Sequence, residues 1–336
     1  MKIVVDAMGS DKNPEPDVAG AVLAAQELTE DVIVLVGEET AVRAELDKHS
    51  PLPSNIEIVH APQAITMEDK PAQAMREKRQ SSIHIGLNLV RDGQADAFVT
   101  AGNTGAVLAV ATLHSLKRIP GVLRPALGLL FPTADSTPML IDAGANADNK
   151  PEYLYQFGVM GSLFMQKIKG IENPRVALIS NGEEAGKGTS LIQETISLLQ
   201  NSHLNYVGNI EPKEFIRGDV DVGVVDGFTG NIIMKTSEAI ASGISDMLRE
   251  AMMKNPLTIL GGLLARPAFR QVRQRMNPDE IGGIPLLGVN GAVIIGHGRS
   301  NARAIQTAVY QARALVEANV VAAIASGLTE QTNGHQ

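Results

Sequence analysis

Strand-like runs of Val, Ile, Leu and Ala alternate with segments of helical length along nearly the whole chain, and this alternation limits its folds more than any other feature. The strand-like runs fall at 3–6, 32–36, 56–60, 97–100, 126–131, 138–142, 176–180, 206–210, 222–226 and 292–296. Between them, 18–28, 82–91, 151–167, 189–199 and 301–318 carry helical periodicity. Right-handed crossovers then build a mostly parallel sheet with helices on both faces, an α/β fold. The composition suits it: 44% of residues are hydrophobic and 3% aromatic, with no Trp, which favours aliphatic strands buried on both faces. Ligands of such sheets bind beyond the carboxyl ends of the strands.

Composition also excludes several functions. With no Cys there is no disulfide, thiolate nucleophile or Cys-bound metal, and a net charge of −8 argues against bulk nucleic-acid binding. The chain opens on a strand-like run, so no signal peptide is expected. No apolar run is long enough to span a bilayer, and a soluble, cytoplasmic protein is expected. No linker divides the chain, which points to one catalytic α/β unit over 1–328 and a polar, disordered tail over 329–336.

Six turns carry the candidate chemistry. Ala101-Gly102-Asn103-Thr104-Gly105 joins a strand to an apolar helix. Its free N–H groups and hydroxyl lie at the positive end of a helix dipole, a place to hold phosphate or simply an N-cap and turn. Asp6-Ala7-Met8-Gly9-Ser10-Asp11 follows the first strand. Ser81-Ser82 opens a helix and is preceded by Arg76, Lys78 and Arg79. The stretch 181–189 contains Lys187, Asp226-Gly227-Phe228-Thr229-Gly230-Asn231 starts a long helix, and His297-Gly298-Arg299-Ser300-Asn301 opens the last one. All but Ser81-Ser82 are expected just past a strand end, on one active edge.

Several motifs fail on spacing. Gly186-Lys187-Gly188-Thr189 is not a nucleotide P-loop, because Asn181 stands at the first Gly and Gly188 follows the Lys. Asp142-Ala143-Gly144-Ala145-Asn146-Ala147-Asp148 spaces oxygens like part of a calcium loop, without its Gly or terminal Glu, and reads as a turn. No dinucleotide Gly-x-Gly-x-x-Gly or serine-hydrolase elbow appears. What remains suits direct attack by a bound anionic oxygen, with no obvious covalent nucleophile or metal.

One segment departs from the pattern. From Ala251 to Pro278 there is no acid, while Lys254, Arg266, Arg270, Arg273 and Arg275 are basic. Leu257, Ile259, Leu260, Leu263 and Leu264 form an apolar stretch opened by Pro256, and Arg266, Arg270 and Arg273 share one helical face. A helical protrusion over about 245–280 follows. It is either a membrane-surface or acidic-partner contact or a hairpin buried in a homodimer interface.

In this order the turns resemble the bacterial phosphate acyltransferases of phospholipid synthesis. The match runs through Asp6-Ala7-Met8-Gly9, Ala101-Gly102-Asn103-Thr104-Gly105, Ile141-Asp142-Ala143-Gly144-Ala145-Asn146, Met160-Gly161-Ser162, Asn173-Pro174-Arg175-Val176, Asp226 to Asn231 and His297-Gly298. Ser10 departs from the Gly common in the family, and 180–188 is a variable version of its loop. The resemblance implies an isocitrate-dehydrogenase-like, phosphotransacetylase-like fold and a homodimer without cofactor. It implies a reaction in which inorganic phosphate attacks the long-chain acyl thioester of acyl carrier protein. The acyl phosphate product would serve a membrane glycerol-3-phosphate acyltransferase.

Expected roles follow from that chemistry. Ser81, Ser82, Asn103, Thr104 and Gly105 hold phosphate. Lys187 and Asn231 stabilise the oxyanion, Asp226 orients one of them, and His297 protonates the leaving thiolate. Leu257, Ile259, Leu260, Leu263 and Leu264 meet an anionic membrane, and Arg266, Arg270 and Arg273 meet lipid headgroups or an acidic partner. A phosphotransacetylase using acyl-CoA and a membrane-recruited scaffold without catalysis are the alternatives.

Overall fold

The computed structural model describes residues 1–133, 135–184, 186–276 and 282–333. Its strands are β1 (Lys2–Asp6), β2 (Val32–Gly37), β3 (Ile56–His60), β4 (Ala97–Thr100), β5 (Ala126–Leu130), β6 (Met139–Ile141), β7 (Arg175–Ile179), β8 (Asn205–Ile210), β9 (Val222–Val224), β10 (Ile284–Leu287) and β11 (Ala292–Ile295). The first helices are α1 (Glu15–Glu27), α2 (Glu39–Leu46), α3 (Pro71–Glu77), α4 (Ser82–Arg91) and α5 (Thr104–Ala109), and α5 runs on into a π-helical turn over Val110–His114. Then come α6 (Pro151–Lys169), α7 (Ser190–Gln200), α8 (Pro212–Arg217), α9 (Gly227–Met252), α10 (Pro256–Met276), α11 (Ala302–Glu317) and α12 (Val320–Asn333).

All the strands belong to one sheet, ordered β3-β2-β1-β4-β11-β10-β5-β6-β9-β7-β8. Both faces of its strands are apolar. Ile3 and Val5 of β1 enter one cluster with α1, α6, α7 and α11, while Val4 enters another with α4 and α5. That period of two explains the continuous Val/Ile runs. A third cluster packs Phe215 of α8 and Ile233 of α9 against Leu140 and Ala177.

The sheet is mostly parallel, with one reversal that positions the site. β10 runs antiparallel to both β11 and β5, and β5 runs antiparallel to β6. The β3-β2-β1-β4-β11 half and the β6-β9-β7-β8 half therefore point in opposite directions. Their carboxyl ends lie on opposite edges of the sheet, which corrects the expectation of one shared active edge. The sequence reading had no β10, because Pro285 argues against an interior strand. Here Ile284 and Pro285 pair with β11 while Leu286 and Leu287 pair with β5, so the proline serves only one ladder.

Two further expectations shift. The expected protrusion corresponds to the end of α9 and to α10, a helical hairpin; residues 277–281 lie outside the described ones. The expected tail is helical as far as Asn333, since α12 continues the apolar run 320–328 through it, and 334–336 lie outside the described residues. Among the described residues no helix is long and apolar enough to cross a membrane.

Candidate active site

The first group of turns gathers around Asp6. Its carboxylate accepts from Met8 N–H (3.0 Å) and from the Thr100 hydroxyl (2.7 Å), and Ser82 lies close enough to lower its pKa. Thr100 in turn accepts from Gly102 N–H (2.9 Å). The turns after β1 and β4 are thus laced through one buried acid, whose pKa burial raises against those hydrogen bonds. They sit so close that a Cβ on Gly9 would lie 2.9 Å from Gly102 N, so only glycine fits.

Beside Asp6 lies a carboxyl that sequence reasoning missed. Asp17, in the first turn of α1, is fully buried and accepts from the Ser10 hydroxyl at 2.5 Å, while its Oδ1 has no partner. Burial, with Asp6 adding repulsion, raises its pKa to about 7. An acid in a first helical turn ordinarily marks a solvated face. This one is buried by the packing of the turn before it.

Asn103 caps α5: its Oδ1 accepts from Ala106 N–H (3.1 Å). Its amide donates to the carbonyls of Thr66 (3.1 Å), Met67 (3.4 Å) and Asp69 (3.1 Å), strapping 66–69 to the turn. Gly105 lets α5 meet α3, since a Cβ there would lie 2.7 Å from Pro71. Thr104 is half-buried at the first helical position. First-turn N–H groups such as those of Thr104 and Gly105 have no helical carbonyl to bond.

Ser81 and Ser82 are buried, and the Ser81 hydroxyl has its partners inside the chain. Ser81 caps α4 and lies 3.0 Å from His84 Nδ1. His84 is held neutral, its pKa pushed down to about 4 by burial and by His114.

Across the sheet, Asp142 organises the turn after β6. Its Oδ1 accepts from Leu127, Gly144 and Ala145 N–H, and its Oδ2 from the backbone and side chain of Asn146. These five donors account for the turn reading of the calcium-like spacing. Asp226 caps α9 through Thr229 N–H (2.9 Å). Gly230 brings that helix so close that a Cβ there would lie 1.9 Å from the Asp142 carbonyl. Asn231 follows, exposed, and its Cβ would lie 3.3 Å from a Cβ on Gly144.

The two groups are linked by α9. His297 is exposed on the β11 turn, and its pKa is lowered by desolvation, by Arg299 and by Lys235 of α9, against Glu238 and Asp11. Asp11 N–H donates to the Gly298 carbonyl at 2.7 Å, joining the His297 turn to the Asp6 turn. Lys187 stands apart, exposed in the loop between β7 and α7 near the far end of the sheet.

Leu257 (79% exposed), Leu260, Leu263 and Leu264 (77%) face solvent on α10, with Ile259 less exposed. Arg266 and Arg270 are exposed on the same helix, and Arg273 lies on it one turn further.

The fold defines a class of proteins. A phosphotransacetylase from Streptococcus pyogenes superposes with a TM-score of 0.61 at 18% identity, over 94% of both chains. A branched-chain phosphotransacylase from Enterococcus faecalis gives 0.57 at 16%, over 94% of this chain and 99% of that one. The model of the family described as fatty acid synthesis protein matches residues 1–323. "Phosphate acyltransferase" of Elusimicrobium minutum is 43% identical, covering 98% of this chain and 96% of its own. That of Pelotomaculum thermopropionicum is 46% identical, covering 98% and 95%. The chain belongs to the phosphate acyltransferase family, and it is an acyltransferase.

Proposed function

We propose that this enzyme transfers a long-chain acyl group from the thioester of acyl carrier protein to inorganic phosphate. The products are acyl phosphate and the free carrier thiol. The observation that carries this reading is identity of 43% or more, over nearly the whole chain, with proteins named phosphate acyltransferase.

Phosphate sits at the α5 turn, held by the Thr104 hydroxyl and by the N–H groups of Thr104 and Gly105. Ser81, Ser82 and Asn103 act one step back, their polar groups fixing the turns that face the anion. A phosphate oxygen attacks the thioester carbon, charge builds on the carbonyl oxygen, and the C–S bond then breaks. Phosphate is already partly dianionic near neutral pH, so a strong base is not required. The depressed pKa of His297 keeps its imidazole neutral there, which suits accepting a proton from monoanionic phosphate; it passes that proton to the departing thiolate. Asn231, placed by the Asp226 cap, stabilises the oxyanion, and Lys187, which stands apart in this structure, joins the site only by a movement of its β7–α7 loop.

The exposed leucines of α10 contact an anionic membrane, with Arg266, Arg270 and Arg273 meeting headgroups. Ile240, Ile244 and Leu248 make an exposed stripe on α9 that suits a homodimer seam. Release of acyl phosphate at the bilayer would favour its capture by a membrane glycerol-3-phosphate acyltransferase.

Phosphate-dependent turnover measured with acyl carrier protein and acyl-CoA donors tests the reading. Turnover with the carrier donor supports it. Preference for acyl-CoA favours a phosphotransacetylase, and no turnover by folded protein favours a scaffold.

A further inference from the structure

One surface, remote from α10, is set apart by the company its cations keep. Some exposed cations of this acidic chain pair with carboxylates, as Arg43 and Lys213 do, while many others meet no carboxylate among the described residues. Arg79, Lys117 and Arg118 are exposed and meet no carboxylate within ion-pair distance among the described residues. They are tethered instead to main-chain carbonyls: Arg79 to Arg76 at 3.3 Å, Lys117 to Leu113 and Arg118 to Leu123. Such tethers hold the side chains in place yet leave their charge uncompensated, so part of the ordering cost of binding is already met.

The cations converge. Arg79, from the turn between α3 and α4, and Lys117, from beyond the π-helical turn, both act on His114, as does Arg91 at the end of α4. Among them stands Leu113, 62% exposed, and the carbonyl that holds Arg118 belongs to Leu123, itself 40% exposed. Apolar anchors ringed by fixed cations match an acidic protein surface that carries an apolar spot, the usual anatomy of a steered, specific contact.

The surface is also in line with the proposed phosphate turn. The helix that starts at Thr104 ends, through its π-helical turn, at His114, about 16 Å away at helical rise. A partner docked there must deliver its reacting group on a flexible arm.

We propose that Leu113, with Arg79, Lys117 and Arg118, is the docking surface for an acidic carrier protein that presents its acyl thioester on such an arm. This rests on the acyl-transfer reading above, and its test separates the two. Arg79→Glu/Lys117→Glu should lower kcat/KM for acyl carrier protein at least about tenfold and flatten its salt dependence. Turnover of acyl-pantetheine, which lacks the carrier, should be unchanged. Equal losses with both donors, or none with either, overturn the docking surface.

Binding is read independently of turnover, by anisotropy of labelled apo-carrier and by the NMR titration of His114. Carboxylates docked beside that ring should raise its pKa in the wild type and not in the double variant. Carrier binding lost in the variant, with no phosphate-dependent turnover in the wild type, would keep the surface and sink the acyl-transfer reading. An unmoved His114 with carrier bound would overturn the surface and leave that reading intact.

Discussion

Asp17→Asn should change how stability depends on pH, because it removes a carboxyl that the fold prefers to keep protonated. The folded value is about 7 against 3.8 for the free side chain, about 3 pH units, worth about 4 kcal/mol in all. The sign follows from proton binding. The folded state holds this proton more tightly than the unfolded state, so its contribution is fully present below about pH 4. It is lost as pH rises through about 7. Between pH 5 and 8 the unfolded group is already ionised while the folded one titrates, so linkage gives a loss on the order of 2–3 kcal/mol from this residue. Asn keeps an oxygen for the Ser10 hydroxyl and has no charge to bury. Urea unfolding at pH 5, 6.5 and 8, at fixed protein concentration, should show the wild type losing on the order of 2–3 kcal/mol more than the variant. Parallel pH profiles for the two proteins would show that Asp17 ionises freely and that its burial carries no such penalty.

Thr104→Val should raise the KM for phosphate far more than that for the acyl donor, since a hydroxyl donor to a charged ligand is worth about 1.5–3 kcal/mol; equal effects on both would remove this turn from phosphate binding. Lys187→Ala should lower turnover at least about tenfold, and near-wild-type turnover in folded protein would make it a surface lysine of the β7–α7 loop. Leu260→Glu/Leu264→Glu should abolish flotation with anionic liposomes while sparing turnover of soluble substrate. Dissociation of a dimer in that variant would instead assign α10 to a subunit interface.

Much of the fold was legible because each strand buries both faces. Runs such as Ile3-Val4-Val5 and Val32-Ile33-Val34-Leu35-Val36 have no solvated alternative, and their helices announce themselves with caps at Ser81, Thr189, Asp226 and Asn301. The reversal was not legible, because direction is a property of pairing and β10 is disguised by Pro285. The turns themselves were legible as glycine-rich strand-to-helix joints. Which of them meet was not, since contacts such as Thr100 with Asp6 span 94 residues and depend on the finished sheet. The caps also misled. Asn103 and Asp226 have side chains that serve a ligand or a helix equally well in sequence, and here both bond their own helix ends.

Asn103 fastens two pieces of backbone with one side chain. Its oxygen belongs to the helix and its nitrogen to the loop at 66–69, and that loop reaches the β11 turn as well, where the Met67 methyl group would lie 2.7 Å from a Cβ on Gly298. A defect caused by changing Asn103 would therefore spread to segments far apart in sequence, and a failed assay would look the same whether an anion had lost a contact or a loop had come adrift. Thr104, one residue on and free of that duty, is the cleaner place to interrogate the turn. For engineering, Asn103 is a rivet to leave in place while its neighbours are varied.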